Sequence, residues 1–150
     1  MSGSDLIDRT PLPRTRDSMA SDLRGLGVRP GMTVIVHSSL KSMGWVNGGA
    51  VAAIQALMDV ITSEGTIVMP AHSGHPGHSA WSNPPVPGHW NQIIRNTLPA
   101  YDPAITPTVC MGVIPETFRK LPGVRRSAHP RLSFTAWGKH ADLITGDHGL

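Results

Sequence analysis

The chain has 150 residues, enough for one domain with a buried core. A hydrophobic fraction of 39% and a charged fraction of 15% exclude a disordered chain. The net charge is only +3, and the basic residues between 119 and 131 indicate a local anion site rather than a nucleic-acid surface. The single cysteine excludes an internal disulfide, and no apolar run is long enough to span a membrane. These features predict a cytoplasmic protein that binds neither nucleic acid nor membrane.

Helical and extended patterns alternate along the sequence. Residues 1–14 are polar and rich in proline, which predicts a flexible arm, and residues 15–150 predict a single α/β domain. In chain order we predict a helix capped by Thr15, a strand at 34–36, a helix from 48–49, a strand at 66–69, short helices at 89–98 and 115–121, a half-buried strand at 132–137 and a helix from 139.

The first two strands predict the arrangement of the sheet. Both are apolar without alternation, as expected for strands covered on both faces, and the helix between them predicts a right-handed parallel unit. The sequence therefore predicts a layered α/β/α sandwich with a mostly parallel central sheet.

Polar residues follow the first strand at once. In open α/β sheets, ligands bind outside the carboxyl ends of strands, and His37-Ser38-Ser39 occupies such a position. Ser38 or Ser39 is a candidate nucleophile with a histidine base, as in a hydrolase. The absence of a G-x-S-x-G elbow favours the alternative, in which the hydroxyls and nearby N–H groups bind an amide-bearing ligand. A strand-end histidine held by a backbone carbonyl is the other interpretation of His37.

Two loops carry further candidates. The loop 71–87 is long enough to suggest a function, but His72, His75 and His78 lack a carboxylate or thiolate nearby, so we predict a substrate-lining loop rather than a metal site. In the loop 123–130, Arg126 is suited to bidentate contact with phosphate, and a solvated basic turn is the alternative. Glu116 and Arg119 predict a surface ion pair of little energetic weight.

A series of spaced motifs then resembles one family. The motifs are HSSL at 37–40, GW at 44–45, GG at 48–49, TIVMP at 66–70, NPPVP at 83–87, DP at 102–103, TPT at 106–108, MG at 111–112, PETFR at 115–119, RSAHP at 126–130 with Ser133, and AWG at 136–138. In this order they are similar to the aminoglycoside 3-N-acetyltransferase family, from about Thr15 to the last residue.

The resemblance implies an enzyme that transfers an acetyl group from acetyl-coenzyme A to an amine, here the 3-amino group of an aminoglycoside antibiotic. It implies that His37 lies at the acyl end and that five residues contact coenzyme A: Ser38, Ser39, Leu40, Arg126 and Ser127. At the amine substrate we expect His72 and Trp81 of the loop 71–87, and Asp102. From the residues of that loop we expect no metal, and a homodimer stays open.

Two departures qualify this expectation. Family members continue well past the position of Leu150, and the strongest candidate for the general base is a histidine in that later part. The resemblance thus implies an N-terminal portion, truncated at its C-terminus, and the alternative function is an inactive or partial coenzyme A-binding fragment. Moreover, Asp102 is the only acid between Thr66 and Pro115. An acidic pocket for a polycation must then come from elsewhere, or the acceptor is not an aminoglycoside.

Overall fold

The computed structural model describes residues 3–74 and 85–149. Its helices are α1 (Gly3–Asp8), α2 (Arg16–Gly25), α3 (Gly49–Ile61), α4 (Asn91–Thr97), α5 (Val113–Phe118) and α6 (Ala141–Gly146), with 3₁₀ turns at Leu40–Met43 and Gly88–Trp90. Its strands are β1 (Thr33–Ile35), β2 (Thr66–Pro70), β3 (Arg125–Arg126) and β4 (Phe134–Gly138). None of these helices is long and apolar enough to cross a membrane.

The four strands form one mixed sheet in the order β1-β2-β4-β3. β1 and β2 are parallel, as predicted, but β4 is antiparallel to both β2 and β3, so the prediction of a mostly parallel sheet is wrong. The cause is the long connection after β2. This connection returns to the end of the sheet at which β2 finishes. There the N–H of Ala71 donates to the carbonyl of Ser133 at 2.8 Å. β4 therefore starts beside the end of β2, where Phe134 pairs with Pro70, and runs antiparallel to β2.

Helices cover both faces of the sheet. The main core lies between β1, β2 and the helices α2, α3 and α5, with Ile54, Ile61 and Phe118 fully buried. On the opposite face α6 packs over Val68 and Ala136. Because both faces are covered, no residue of β4 is exposed, and burial does not alternate along the strand as predicted.

The starts of α2 and α5 show how capping and proline residues determine where a helix begins. Thr15 caps α2, since its hydroxyl accepts from the N–H of Ser18 while the Ser18 hydroxyl accepts from the N–H of Thr15, which confirms the predicted cap. α5 begins at Val113, two residues before the predicted start at Pro115. Proline is compatible with that place because the first turn of a helix does not need its N–H.

The N-terminal segment is attached to the loop after β1. Arg14 and Val46 form an isolated parallel bridge, and the Thr10 hydroxyl accepts from the N–H of Trp45 at 2.9 Å. The flexibility expected for residues 1–14 stays a prediction, and the structure adds to it a short helix, α1, at Gly3–Asp8.

Candidate active site

The carboxyl ends of β1 and β2 open into a cavity of about 240 Å³. The N–H of Val36 still donates to Val68 at 2.8 Å, and His37 and Ser38 then leave the sheet. The same cavity is lined by His72, which follows β2, and by Cys110 and Met111 from the loop before α5. Parallel pairing thus brings the predicted residues His37, Ser38 and His72 to one place.

Two polar atoms of this region have no hydrogen-bond partner among the described residues. They are the Ser38 hydroxyl oxygen and Nε2 of His72, and both are buried. A buried polar atom without a partner costs roughly 1–3 kcal/mol, so natural folds usually satisfy it. Two such atoms beside one cavity favour a ligand that supplies hydrogen bonds there.

His72 belongs to a group of aromatic and imidazole rings. Its ring meets Phe134 edge-on, with centroids 5.5 Å apart, and Phe134 lies 5.7 Å from His148. His148 in turn stacks on His129 at 5.0 Å. Burial lowers the pKa of His72, and the nearby imidazoles of His37, His129 and His148 lower it further. The neutral form of His72 is thereby favoured.

Arg126 is held by the protein itself. Its Nε donates to the Ser133 hydroxyl at 3.1 Å, and its terminal nitrogens donate to the carbonyls of Ala71, Pro103 and Thr106. The guanidinium also lies 5.2 Å from the ring centre of Tyr101, and burial lowers its pKa. Arg126 therefore joins the end of β2 to the loop 102–106, and its predicted contact with phosphate stays a prediction.

Ser127 is fully buried and lies beside that junction. Its hydroxyl oxygen accepts from the N–H of Phe134 at 3.0 Å and lies 2.9 Å from Nδ1 of His148, while its carbonyl accepts from the Tyr101 hydroxyl. The role at coenzyme A predicted for Ser127 likewise stays a prediction.

The other predicted site residues do not line the cavity at His37 or lie outside the described residues. Ser39 is exposed and precedes the 3₁₀ turn, and Leu40 packs against the main core. Asp102 closes its own turn, accepting from the N–H of Ala104 at 2.7 Å, and does not line the cavity at His37. Trp81, His75 and His78 lie outside the described residues.

Sequence reasoning missed Cys110 as a residue of the cavity wall. Cys110 is exposed and has φ of 59°, in the left-handed region, and Gly112 follows with φ of 86°. These two values turn the chain sharply into α5, and Cys110 lines the same cavity as His37. Nothing in the spacing of the sequence indicates that turn, because cysteine rarely adopts such a conformation.

Comparison with known proteins defines the class. Residues 35–150 match the family model described as aminoglycoside 3-N-acetyltransferase. The chain belongs to this family.

Individual relatives agree with that assignment. The chain is 55% identical over 147 residues to the SPbeta prophage-derived aminoglycoside N(3')-acetyltransferase-like protein YokD of Bacillus subtilis (strain 168), covering 97% of this chain and 54% of the relative. The crystal structure of YokD superposes with a TM-score of 0.91, over 97% of this chain and 54% of that one. A structure described as AAC-IIIb binary with CoASH superposes with a TM-score of 0.78 at 32% identity, over 91% of this chain and 50% of that one. The chain thus spans about half the length of the relatives it matches.

Proposed function

We propose that this chain is part of an N-acetyltransferase that moves an acetyl group from acetyl-coenzyme A to an amine, the 3-amino group of an aminoglycoside. The observation that carries the proposal is the cavity where β1 and β2 end, with His37 beside the unpartnered hydroxyl of Ser38. Family membership supports the substrate class, and the relative described with CoASH supports the donor. The single free cysteine supports the cytoplasm as the location.

The chemistry is direct acyl transfer. The nitrogen of the neutral amine attacks the thioester carbonyl, the carbon–sulfur bond breaks, and coenzyme A leaves as a thiolate. The proton lost by the amine passes to a base, for which an imidazole is suited near neutral pH. His37 is exposed at the cavity and would orient the amine or accept this proton.

The transition state also needs donors for its oxyanion. Among the described residues, the backbone N–H groups of Ser38 and Ser39 have no hydrogen-bond partner. They follow His37 directly, and we propose that they face the developing negative charge. The Ser38 hydroxyl would bind the amide-bearing arm of the cofactor, with Ser39 and Leu40 beside it. His72, Trp81 and Asp102 remain the proposed contacts of the amine.

A thiol-release assay with acetyl-coenzyme A and a panel of aminoglycosides tests the activity. We expect aminoglycoside-dependent release of thiol, lost in His37→Ala and kept in the exposed control His140→Ala. A stabilising shift with coenzyme A but no release from the unmodified chain would contradict catalysis and leave a binding fragment. No shift and no release would reject the cofactor as well.

Ser38→Ala separates a binding role from a structural one. Because the hydroxyl has no partner in the described structure, its removal should leave stability unchanged or raise it by up to about 1 kcal/mol. The affinity for coenzyme A should nevertheless fall, whereas the exposed control Ser63→Ala should behave like the unmodified chain. A destabilised Ser38→Ala with unchanged affinity would refute the assignment.

A further inference from the structure

A second cavity, of about 620 Å³, lies between the N-terminal segment and the 3₁₀ turn after β1. Three basic side chains line it: Arg9, Arg14 and Lys41. No carboxylate is among the described residues that line it. Its position is away from Arg126, where sequence reasoning placed the anion site.

The walls of this basic cavity are fixed by hydrogen bonds between distant parts of the chain. The N–H of Arg14 donates to the carbonyl of Trp45, and the N–H of Asn47 donates to the carbonyl of Arg14, both at 2.9 Å. The approach is close, because a Cβ on Gly44 would lie 2.7 Å from the Thr10 hydroxyl oxygen. Gly44 also has φ of 85°, so the sequence needs glycine there. The cavity is therefore a built feature of the fold.

The charges around the basic cavity are not balanced. Arg14 forms an ion pair with Asp22, which leaves its own charge compensated. The side chains of Arg9 and Lys41, by contrast, have no ion pair or hydrogen bond within residues 3–74 and 85–149. Two uncompensated cations in a concave site favour an anion, and phosphate is the anion that arginine and lysine commonly bind in proteins.

The basic cavity also adjoins the candidate active site. It shares Arg14, Ser42 and Met43 with an intermediate cavity of about 480 Å³. Most side chains that line the intermediate cavity are apolar, including Met19 and Leu23 of α2 and Leu57 of α3. It shares Val36, His37 and Ser38 with the cavity where β1 and β2 end. Along the three adjoining cavities, the lining side chains are thus first basic, then mostly apolar, and finally include the imidazole of His37 and the hydroxyl of Ser38.

Coenzyme A has the same order of chemistry. A phosphorylated nucleotide forms one end, a largely uncharged pantetheine arm forms the middle, and the thiol or thioester forms the other end. We propose that Arg9 and Lys41, with Arg14 beside them, bind the phosphate groups of the cofactor, and that pantetheine lies in the intermediate cavity. This inference rests on the proposed function, and it assigns the phosphates to the N-terminal segment in place of Arg126 and Ser127.

Calorimetric titration of this chain with coenzyme A and with pantetheine tests the assignment. The double variant Arg9→Gln/Lys41→Gln should bind coenzyme A at least about tenfold more weakly, since charge-assisted hydrogen bonds are lost. Its affinity for pantetheine, which lacks the nucleotide and its phosphates, should not change. The matched control Arg95→Gln/Lys139→Gln removes the same charge from exposed residues that line none of the three cavities, and it should bind as the unmodified chain does.

Two further measurements sharpen the test. Adenosine 3',5'-bisphosphate, the nucleotide part of the cofactor, should bind the unmodified chain in competition with coenzyme A and should not bind the double variant. The affinity for coenzyme A should fall with added salt, and less steeply in the double variant.

The outcomes distinguish this subsite from the proposed function. If the double variant binds coenzyme A as the unmodified chain does, while Arg126→Gln weakens binding, the phosphate site is at Arg126 and the subsite is wrong although the function stands. If the unmodified chain binds neither coenzyme A nor the bisphosphate, both proposals fail. Thermal unfolding of each variant shows that a loss of affinity is not a loss of fold.

Discussion

Glu116 of α5 connects the loop before this helix to the residues that follow it, beside the candidate active site. Its carboxylate accepts from Arg119, from Lys120 and from both the N–H and the hydroxyl of Thr108. The Arg119 side chain is only 5% exposed, so the prediction of a surface ion pair is wrong. The spacing of three residues was read correctly, but sequence spacing does not show that the loop 104–108 folds over the pair.

The first prediction concerns Glu116→Gln. The hydrogen bond from Arg119, followed by those from Lys120 and Thr108, holds the pKa of Glu116 well below its usual range. The substitution leaves the buried Arg119 guanidinium without its counter-charge and should lower the free energy of unfolding by about 2–4 kcal/mol at pH 7. Lys120→Gln, which removes the 60% exposed partner of the same carboxylate, should cost no more than about 0.5 kcal/mol.

The effect of Glu116→Gln should depend on pH. A carboxylate with a depressed folded pKa stabilises the protein above its unfolded pKa of about 4.3, and this contribution falls as pH drops from there toward the folded pKa. Urea unfolding at pH 7 and pH 3 measures it, and the difference between the two proteins should shrink at pH 3. An equal difference at both pH values would show that packing, not charge, is responsible.

The second prediction concerns His72. Burial, and then repulsion from His37, His129 and His148, lowers its pKa in the folded chain. The unfolded chain therefore takes up a proton near pH 6.5 before the folded chain does, and His72 lowers stability as pH falls from there to its folded pKa. In an NMR titration the ring protons of His72 should shift with a midpoint below about 6.5, and His72→Phe should reduce the loss of stability between pH 7 and pH 5. A midpoint at or above 6.5 would contradict the burial argument.

At the scale of elements, Gly138 decides how β4 lies against β2. A Cβ at Gly138 would stand 2.1 Å from the carbonyl oxygen of Gly65, and Gly138 has φ of 104°. Backbone, not a flexible side chain, is the obstacle, so the third prediction is that Gly138→Ala lowers the free energy of unfolding by about 3 kcal/mol or more.

The control for Gly138→Ala is a glycine with free space. Gly25 ends α2 and lacks a positive φ, and a Cβ added to it would meet no atom of the described residues within 4 Å. Gly25→Ala should therefore raise stability by about 0.5–1 kcal/mol. Chemical denaturation of both variants tests the pair, and a similar change in both would refute the close-contact argument.

These elements also show which parts of the fold were predictable. The cap at Thr15, the start of α3 at Gly48-Gly49 and the parallel pairing of β1 with β2 follow from local patterns, and the structure confirms them. The direction of β4 was not predictable, because it depends on where the connection between residues 71 and 133 returns to the sheet. That return is a tertiary property, fixed by contacts such as the one between Ala71 and Ser133.

At the scale of the whole molecule, the candidate site also combines residues that a local pattern predicts with residues that only tertiary contacts bring together. His37 and Ser38 could be predicted as candidates because the end of a buried strand is visible in a sequence. Arg9 and Lys41, the proposed phosphate contacts, were not predicted, because 31 intervening positions separate them and only the docking of the N-terminal segment on the loop at 44–47 brings them to one cavity. Arg126 was selected for its chemistry, but its donors serve backbone carbonyls, which no pattern of charge reveals.

Within the described residues, the edge of the sheet at β1 is open. β1 is the terminal strand of the order β1-β2-β4-β3, so within the described residues its outer backbone groups face no neighbouring strand. α6 covers Val68 on the adjacent strand, but Ile35, the register partner of Val68, is 65% exposed. An apolar residue on an uncovered edge strand favours pairing with another strand.

The fourth prediction is therefore that two copies of this chain associate through β1. Sedimentation velocity should show a concentration-dependent dimer, and Ile35→Lys should shift it toward monomer, because a charge on an edge strand opposes pairing. Leu143→Lys is the matched control: Leu143 is 76% exposed on α6, away from the open edge, and its substitution should leave association unchanged. A chain that stays monomeric at all concentrations would contradict the prediction. Equal loss of association in both variants would show that general solubility, rather than the edge of β1, controls it.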